Sequence, residues 1–284
     1  MLLGSLIALL TAASWSIAAV FYKKGEGELT AVEVNAVRCP ASLAFLAIVA
    51  AAARVPIAVL WEPMVLAIVI VATLLALVAG DTLYLLSIKK VGVALATAAS
   101  YTYPAFTAAL SAWLIGERVG LAVAVGTAMV VMGVWLLCRD EGDAGEGGPV
   151  AGVAIGLAAA VTWAAGITAF RYVLFSCDPL GLALVRMIVL TALLAPVIPE
   201  ALAKAGPQGM LYLSAGGMLG LGLGGVLFYA ALALIGAARA STITAATPLF
   251  SALLSMALLK ERLGGIQLLG IALISAGVAL VSAD

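Results

Sequence analysis

Apolar runs of about twenty residues, separated by short polar breaks, fill this chain from end to end. Cutting at the breaks predicts ten helices, at roughly 2–22, 32–53, 63–88, 93–115, 119–138, 150–174, 179–198, 209–235, 238–259 and 263–282. A helix rising about 1.5 Å per residue needs about 20 apolar residues to cross the ~30 Å core of a bilayer. Each run is therefore a candidate membrane span. The breaks are short: KKGEGEL after the first span, Arg54-Val55-Pro56 after the second, Lys89-Lys90 after the third, Glu117-Arg118 after the fourth. The first run is preceded by no basic n-region and exceeds the 7–15 residues of a signal-peptide core, so it reads as a retained span.

The pattern occurs twice. Residues Gly92 to Gly133 align without a gap on Gly236 to Gly277, with Pro104 on Pro248, Glu117-Arg118 on Glu261-Arg262, Gly126 on Gly270 and Gly133 on Gly277. Nearer the start of each half, Trp15 falls on Trp163, Lys23 on Arg171 and Arg38 on Arg186. The chain thus divides into residues 1–138, a glycine-rich acidic linker at 139–149 (RDEGDAGEGGP), and residues 150–284. Five spans per repeat is an odd number, so the copies lie upside down with respect to each other. Inverted repeats of this kind are a transporter architecture with a substrate site near mid-membrane. The fold expected is an all-α integral membrane protein, ten transmembrane helices in two inverted five-helix repeats around a central cavity.

Composition agrees. The residues are 65% hydrophobic and 10% charged, with a mean hydropathy of +1.24, against about 25% charged in soluble domains. Lys+Arg and Asp+Glu are 14 each, so there is no basic field for nucleic acid. There is no histidine, and Cys39, Cys138 and Cys177 have no ligand spacing. Metal sites, histidine catalysis and cofactor binding have no support, nor does an enzymatic activity. No nucleotide motif suggests ATP drive. Lys and Arg in loops after odd-numbered spans (Lys23, Lys24, Lys89, Lys90, Arg139, Lys204, Lys260, Arg262) outnumber those after even-numbered spans (Arg54, Arg118, Arg171, Arg239). By the positive-inside rule this puts both termini outside.

Asp81 is the one acid deep in a span, about eight residues before Lys89, or roughly 12 Å from the helix end. A charge near the bilayer centre costs about 2.5–3.5 kcal/mol on the insertion scale and usually faces a cavity or a partner. Two readings are open: a substrate-amine anchor or protonation switch, and a structural acid paired with Arg38 or Arg186. Those arginines suit bidentate recognition of carboxylate or phosphate, with Glu33 and Asp178 as alternative local partners. Trp15, Tyr84, Tyr101, Tyr103, Trp163, Phe228 and Tyr229 are aromatic at mid-span, away from the interfacial belts. They are candidate cavity walls, with helix packing as the other reading. Tyr101 and Tyr103 become Ala245 and Thr247 in the second copy, which predicts an asymmetric site. Pro104 and Pro248 are candidate hinges, each expected to kink its helix while nearby hydroxyls at Ser100, Thr244 and Thr247 re-satisfy the freed carbonyl. Glu117 and Glu261 are expected to cap the helices they begin. Gly126/Gly133 and Gly270/Gly277 allow close helix contact, within the chain or between two chains.

The duplicated five-helix unit, the Trp15…Arg38 and Trp163…Arg186 pairs, and the proline followed by a Glu-Arg corner resemble the EamA-type, ten-helix members of the drug/metabolite transporter superfamily. The resemblance covers nearly the whole chain. It implies a monomer-like, multi-pass carrier of the cell membrane that moves a small molecule: an amino acid, another metabolite, a drug or a nucleotide sugar. It also implies cytoplasmic termini, against the charge count. The small multidrug resistance proteins, related to each half, carry a membrane glutamate eight residues before a lysine. Here Trp15 and Trp163 hold that place, so export of organic cations by that carboxylate has no residue to perform it. The function expected is secondary transport of a small, amphipathic or aromatic metabolite by alternating access. An uncoupled facilitator or multidrug exporter is the alternative, and a membrane-embedded enzyme the last choice.

Overall fold

The computed structural model describes residues 1–138, 149–259 and 264–283. Among them every regular element is helical: α1 (Leu2–Gly25), α2 (Ala31–Ala53), a 3₁₀ turn (Ala58–Trp61), α3 (Pro63–Thr73), a π-helical stretch (Leu74–Gly80), α4 (Asp81–Ser100), α5 (Tyr103–Ile115) and α6 (Leu121–Leu137) in the first half. The second half has α7 (Pro149–Val173), α8 (Pro179–Leu194), α9 (Ile198–Gly217), a second π-helical stretch (Met218–Gly224), α10 (Gly225–Thr244), α11 (Thr247–Leu259) and α12 (Gly265–Ala283). The corner Glu261-Arg262 and residues 139–148 of the linker lie outside the described residues.

Among the described residues, six stretches are long and apolar enough to cross a membrane: Leu2–Gly25, Ala31–Ala53, Pro63–Val93, Val150–Val173, Ile198–Thr244 and Gly265–Ala283, with Leu121–Leu137 and Pro179–Leu194 as shorter apolar helices. The remaining two spans of the ten are each built from two short pieces. Helical geometry stops at Gly92 (φ 79°, ψ 167°) and at Gly236 (φ 81°, ψ 170°), a backbone region open essentially to glycine alone. It stops again after Ser100 and Thr244. The Lys89-Lys90 pair, expected in a loop, is therefore helical, and the turn comes at Gly92.

Pro104 and Pro248 do not kink a continuous helix, as the sequence suggested. The preceding helix has already ended, and each proline is the second residue of a new one, where no backbone N–H is needed. The Thr247 hydroxyl donates to the Thr244 carbonyl at 2.7 Å, the carbonyl four residues before Pro248. Ser100 instead donates back to Ala96.

Helix starts follow local chemistry. Thr30 and Glu33 form a reciprocal capping box on α2, and Asp178 accepts the Leu180 and Gly181 N–H groups at the start of α8. Small residues such as Ala8, Ala72, Ala160, Ala183 and Ala231 are wholly buried, while Leu2, Trp113, Leu121 and Leu211 face outward. This inside-out size sorting fits helices packed in lipid.

The helices α6 and α12 approach each other closely along their glycines. A Cβ on Gly126 would lie 2.8 Å from the Gly277 carbonyl oxygen, and one on Gly133 2.7 Å from that of Gly270. The early glycine of one helix meets the late glycine of the other, so these repeat-equivalent helices run antiparallel. The glycine faces thus pack within the chain. The inversion expected from counting spans is present as geometry. The first helix of each half is lodged in the other half: α1 packs on α9 and α10, and α7 on α3, α4 and α5. Buried polar contacts also cross between halves, including Thr127 to Thr242 at 2.7 Å and the Ser16 hydroxyl to the Thr247 carbonyl at 2.8 Å.

Candidate substrate pathway

Asp81 is the first residue of α4, directly after the π-helical stretch. Arg38 projects from α2, and its Nη2 donates to Asp81 Oδ2 at 3.2 Å. Trp163 projects from α7 of the other half, and its indole Nε1 donates to Asp81 Oδ1 at 3.2 Å. One carboxylate thus takes one donor from each inverted half. Arg38 also donates to Asn35 Oδ1, and its guanidinium lies 4.6 Å over the Tyr22 ring. These contacts satisfy part of the guanidinium, as a buried charge pair requires, while its buried Nε has no hydrogen-bond partner. The local partners suggested for the arginines act elsewhere. Glu33 binds Lys204 at 2.6 Å, and Asp178 caps α8.

The aromatics of the first half surround the same indole. Trp163 lies 5.4 Å from Tyr84, 6.4 Å from Tyr101 and 6.0 Å from Tyr103, centroid to centroid. Tyr101 and Tyr103 meet edge-on at 5.9 Å. Two of their hydroxyls reach polar groups: Tyr84 with Thr97 at 2.8 Å and Tyr103 with Thr244 at 3.0 Å. Where a central cavity was expected, this conformation has Trp163 packed into the first half's aromatic ring set. Space remains beside the acid, since 22% of the Asp81 side chain is accessible. Two open concavities lie away from this cluster: one of about 270 Å³ beside Glu117, Arg171 and Arg239, and one of about 520 Å³ beside Pro56, Phe175 and Asp178.

The repeat relation generates a second cluster around Trp15. This indole lies 5.1 Å from Phe228, the counterpart of the 5.4 Å between Trp163 and Tyr84. Its Nε1 donates to the Gly220 carbonyl at 3.2 Å. Arg186, on α8, sits 5.3 Å over Tyr229 and donates from Nη2 to the Leu221 carbonyl at 2.8 Å. Both acceptors belong to the π-helical stretch Met218–Gly224, which is the repeat equivalent of Leu74–Gly80. A π turn leaves carbonyls out of the usual i to i+4 pattern. The two stretches have no clear signature in the sequence beyond their glycines, and sequence reasoning missed them.

Of the residues singled out from sequence, Arg38, Asp81, Tyr84, Tyr101 and Trp163 thus form one cluster, with Thr247 at its edge. Trp15, Arg186 and Tyr229 form the other. Pro104 and Pro248 stand at the first turns of α5 and α11, next to the helix interruptions.

Glu117 behaves differently from the expectation. It does not cap its own helix. Its carboxylate accepts the Ala237 N–H at 2.9 Å and the Ala238 N–H at 3.4 Å, so it caps the helical segment that restarts after Gly236 in the other half. Arg171 Nε donates to it at 2.7 Å, with both side chains largely buried. A carboxylate at a helix N-terminus meets free N–H groups and the positive end of the dipole.

Comparison with known proteins agrees with this architecture. An uncharacterized transporter of Archaeoglobus fulgidus is 26% identical over 195 residues, 68% of each chain. A crystal structure described only as that of a protein superposes with a TM-score of 0.79 over 98% of this chain and 95% of its own, at 22% identity, which is a likeness of fold. The model of the EamA-like transporter family matches twice, over residues 2–139 and 150–283. With both five-helix halves matched, this multi-pass membrane protein belongs to the EamA-like transporter family and is a transporter rather than an enzyme.

Proposed function

We propose that the chain is a secondary transporter of a small organic metabolite with an apolar or aromatic portion, such as an amino acid, working by alternating access of its two inverted halves. The observation that carries this reading is Asp81, held at once by Arg38 of its own half and Trp163 of the opposite half. Parting the halves must break the indole contact and expose one carboxylate oxygen together with the surrounding tyrosines. That oxygen is then open to a substrate donor or to water. The interruptions at residues 101–102 and 245–246 supply the hinges, beside Pro104 and Pro248.

An uncoupled facilitator is the second reading, favoured by the fact that both Asp81 oxygens are already engaged within the protein. The deciding experiment is uptake and efflux of a panel of radiolabelled amino acids in proteoliposomes, with and without a pH gradient, for wild type and Asp81→Asn. A coupled carrier loses its response to the gradient in Asp81→Asn. Unchanged rate and unchanged gradient response in that variant would remove Asp81 from the mechanism.

A further inference from the structure

The duplication provides an internal comparison at Arg186. Its counterpart Arg38 faces Asp81, but the position equivalent to Asp81 in the second half is Gly225. A Cβ at Gly225 would lie 2.9 Å from Arg186 Nη2, so the guanidinium rests where its twin meets a carboxylate. Arg186 is only 4% exposed. Among the described residues, no carboxylate forms an ion pair with it, and its buried Nε, like that of Arg38, has no hydrogen-bond partner. The two acceptors that replace an acid here are neutral carbonyls, Leu221 for Arg186 and Gly220 for Trp15.

The middle of the bundle therefore holds Arg38 and Arg186 against Asp81, a surplus of one positive charge. A buried guanidinium with no carboxylate bound to it is costly in this environment, and an arginine fork matches a carboxylate geometrically. We propose that the carboxylate of the transported solute binds at Arg186, bridging its guanidinium and the Trp15 indole N–H as Asp81 bridges Arg38 and Trp163. The inference rests on the reading of the chain as a metabolite carrier and names its substrate class: organic carboxylates. Phe228 and Tyr229, packed on Trp15 and under Arg186, supply the wall for the apolar part of the solute. In this conformation the guanidinium is closed onto the π-helical carbonyl. The carboxylate takes over those donors when α1, which carries Trp15, moves relative to α8, which carries Arg186. Gly225 has no side chain to compete for them.

The test is thermal unfolding of the purified protein with 3-phenylpropionate, L-phenylalanine, L-phenylalaninamide or phenethylamine at matched ionic strength, followed by flux of the same compounds in proteoliposomes. At least one of the two carboxylates raises the melting temperature, and the amide and the amine do not. Arg186→Gln weakens that stabilisation at least tenfold. Gly225→Asp supplies an internal carboxylate, so it abolishes the stabilisation without lowering the melting temperature of the unliganded protein. It carries the test alone if Arg186→Gln fails to fold. Equal stabilisation by the amine or amide, no response to either carboxylate, or an undiminished response in Gly225→Asp overturns the proposal. Flux of phenethylamine without carboxylate preference overturns this site and leaves the carrier reading standing. Carboxylate binding without flux of any compound does the reverse.

Discussion

Replacing Glu117 by alanine removes a carboxylate that serves three donors from the other half: the N–H groups of Ala237 and Ala238 and the Arg171 guanidinium. The side chains of Glu117 and Arg171 are 13% and 14% exposed, so solvent does little to screen their attraction or to rescue the partner left behind. Breaking such a pair from one side costs about 3–5 kcal/mol, of which the lost cap accounts for about 1 kcal/mol. Glu117→Gln keeps a neutral acceptor and loses the charge, for an expected cost of about 1.5–3 kcal/mol. Equilibrium unfolding in mixed micelles, followed by tryptophan fluorescence, measures both. The Glu117→Ala/Arg171→Ala double variant closes a cycle whose coupling should exceed about 1 kcal/mol. A Glu117→Ala protein within about 0.5 kcal/mol of wild type, the range of an inert surface change, would refute the view that this corner holds the halves together.

Two further expectations follow from the packing and from the loops. A Cβ on Gly133 would lie 2.7 Å from the Gly270 carbonyl oxygen and 2.9 Å from the Ile274 nitrogen, both backbone atoms, so no rotamer change relieves it. Gly133→Ala should cost about 1–3 kcal/mol in the same unfolding assay, while Gly265→Ala, with nothing within 4 Å, should be close to neutral. The Cys177 thiol, between α7 and α8, is pushed up to about 11 by burial and then by neighbouring Asp178. Because the thiolate is the reactive form, alkylation by N-ethylmaleimide at pH 7 should run about three hundredfold slower than for an unfolded cysteine of pKa about 8.5. The rate should climb about tenfold per pH unit until it levels near 11. The fold holds this proton more tightly than the unfolded chain does, so the associated stability is present below about pH 8.5 and disappears as the pH rises toward 11. Labelling at pH 7 as fast as in the denatured chain would contradict this.

The large features were legible because they rest on periodicity and counting. Apolar runs mark spans, an odd number of spans per repeat inverts the copies, and paired glycines mark a close helix contact. The Asp81–Arg38 pairing was one of two readings open from sequence, since a deep acid must find a cation or a cavity. What could not be read was which half supplies each partner. Trp163 reaching Asp81, and Glu117 reaching Ala237, depend on α7 and the Glu117 corner lodging in the opposite repeat, and no local pattern encodes that. The helix interruptions were misread for a related reason. Proline signals a disturbance, but whether it bends a helix or begins one depends on the backbone at Gly92 and Gly236, a dozen residues earlier. The π-helical stretches were missed because a π turn is set by the packing of its neighbours rather than by its own composition.

The antiparallel glycine contact has a consequence for how such a chain comes to exist. Gly126 and Gly270 are equivalent positions, as are Gly133 and Gly277, and each meets the other's counterpart. The contact is isologous, the kind made across a twofold axis by two identical subunits. A half-length polypeptide of five helices carries both glycines of that contact by itself. It would need only to enter the bilayer in both orientations to find its partner. Joining two copies in one chain makes the pairing obligatory and sets the ratio of orientations at one to one. It also frees each copy to differ from the other, as the aspartate in one half and the glycine in the other now do.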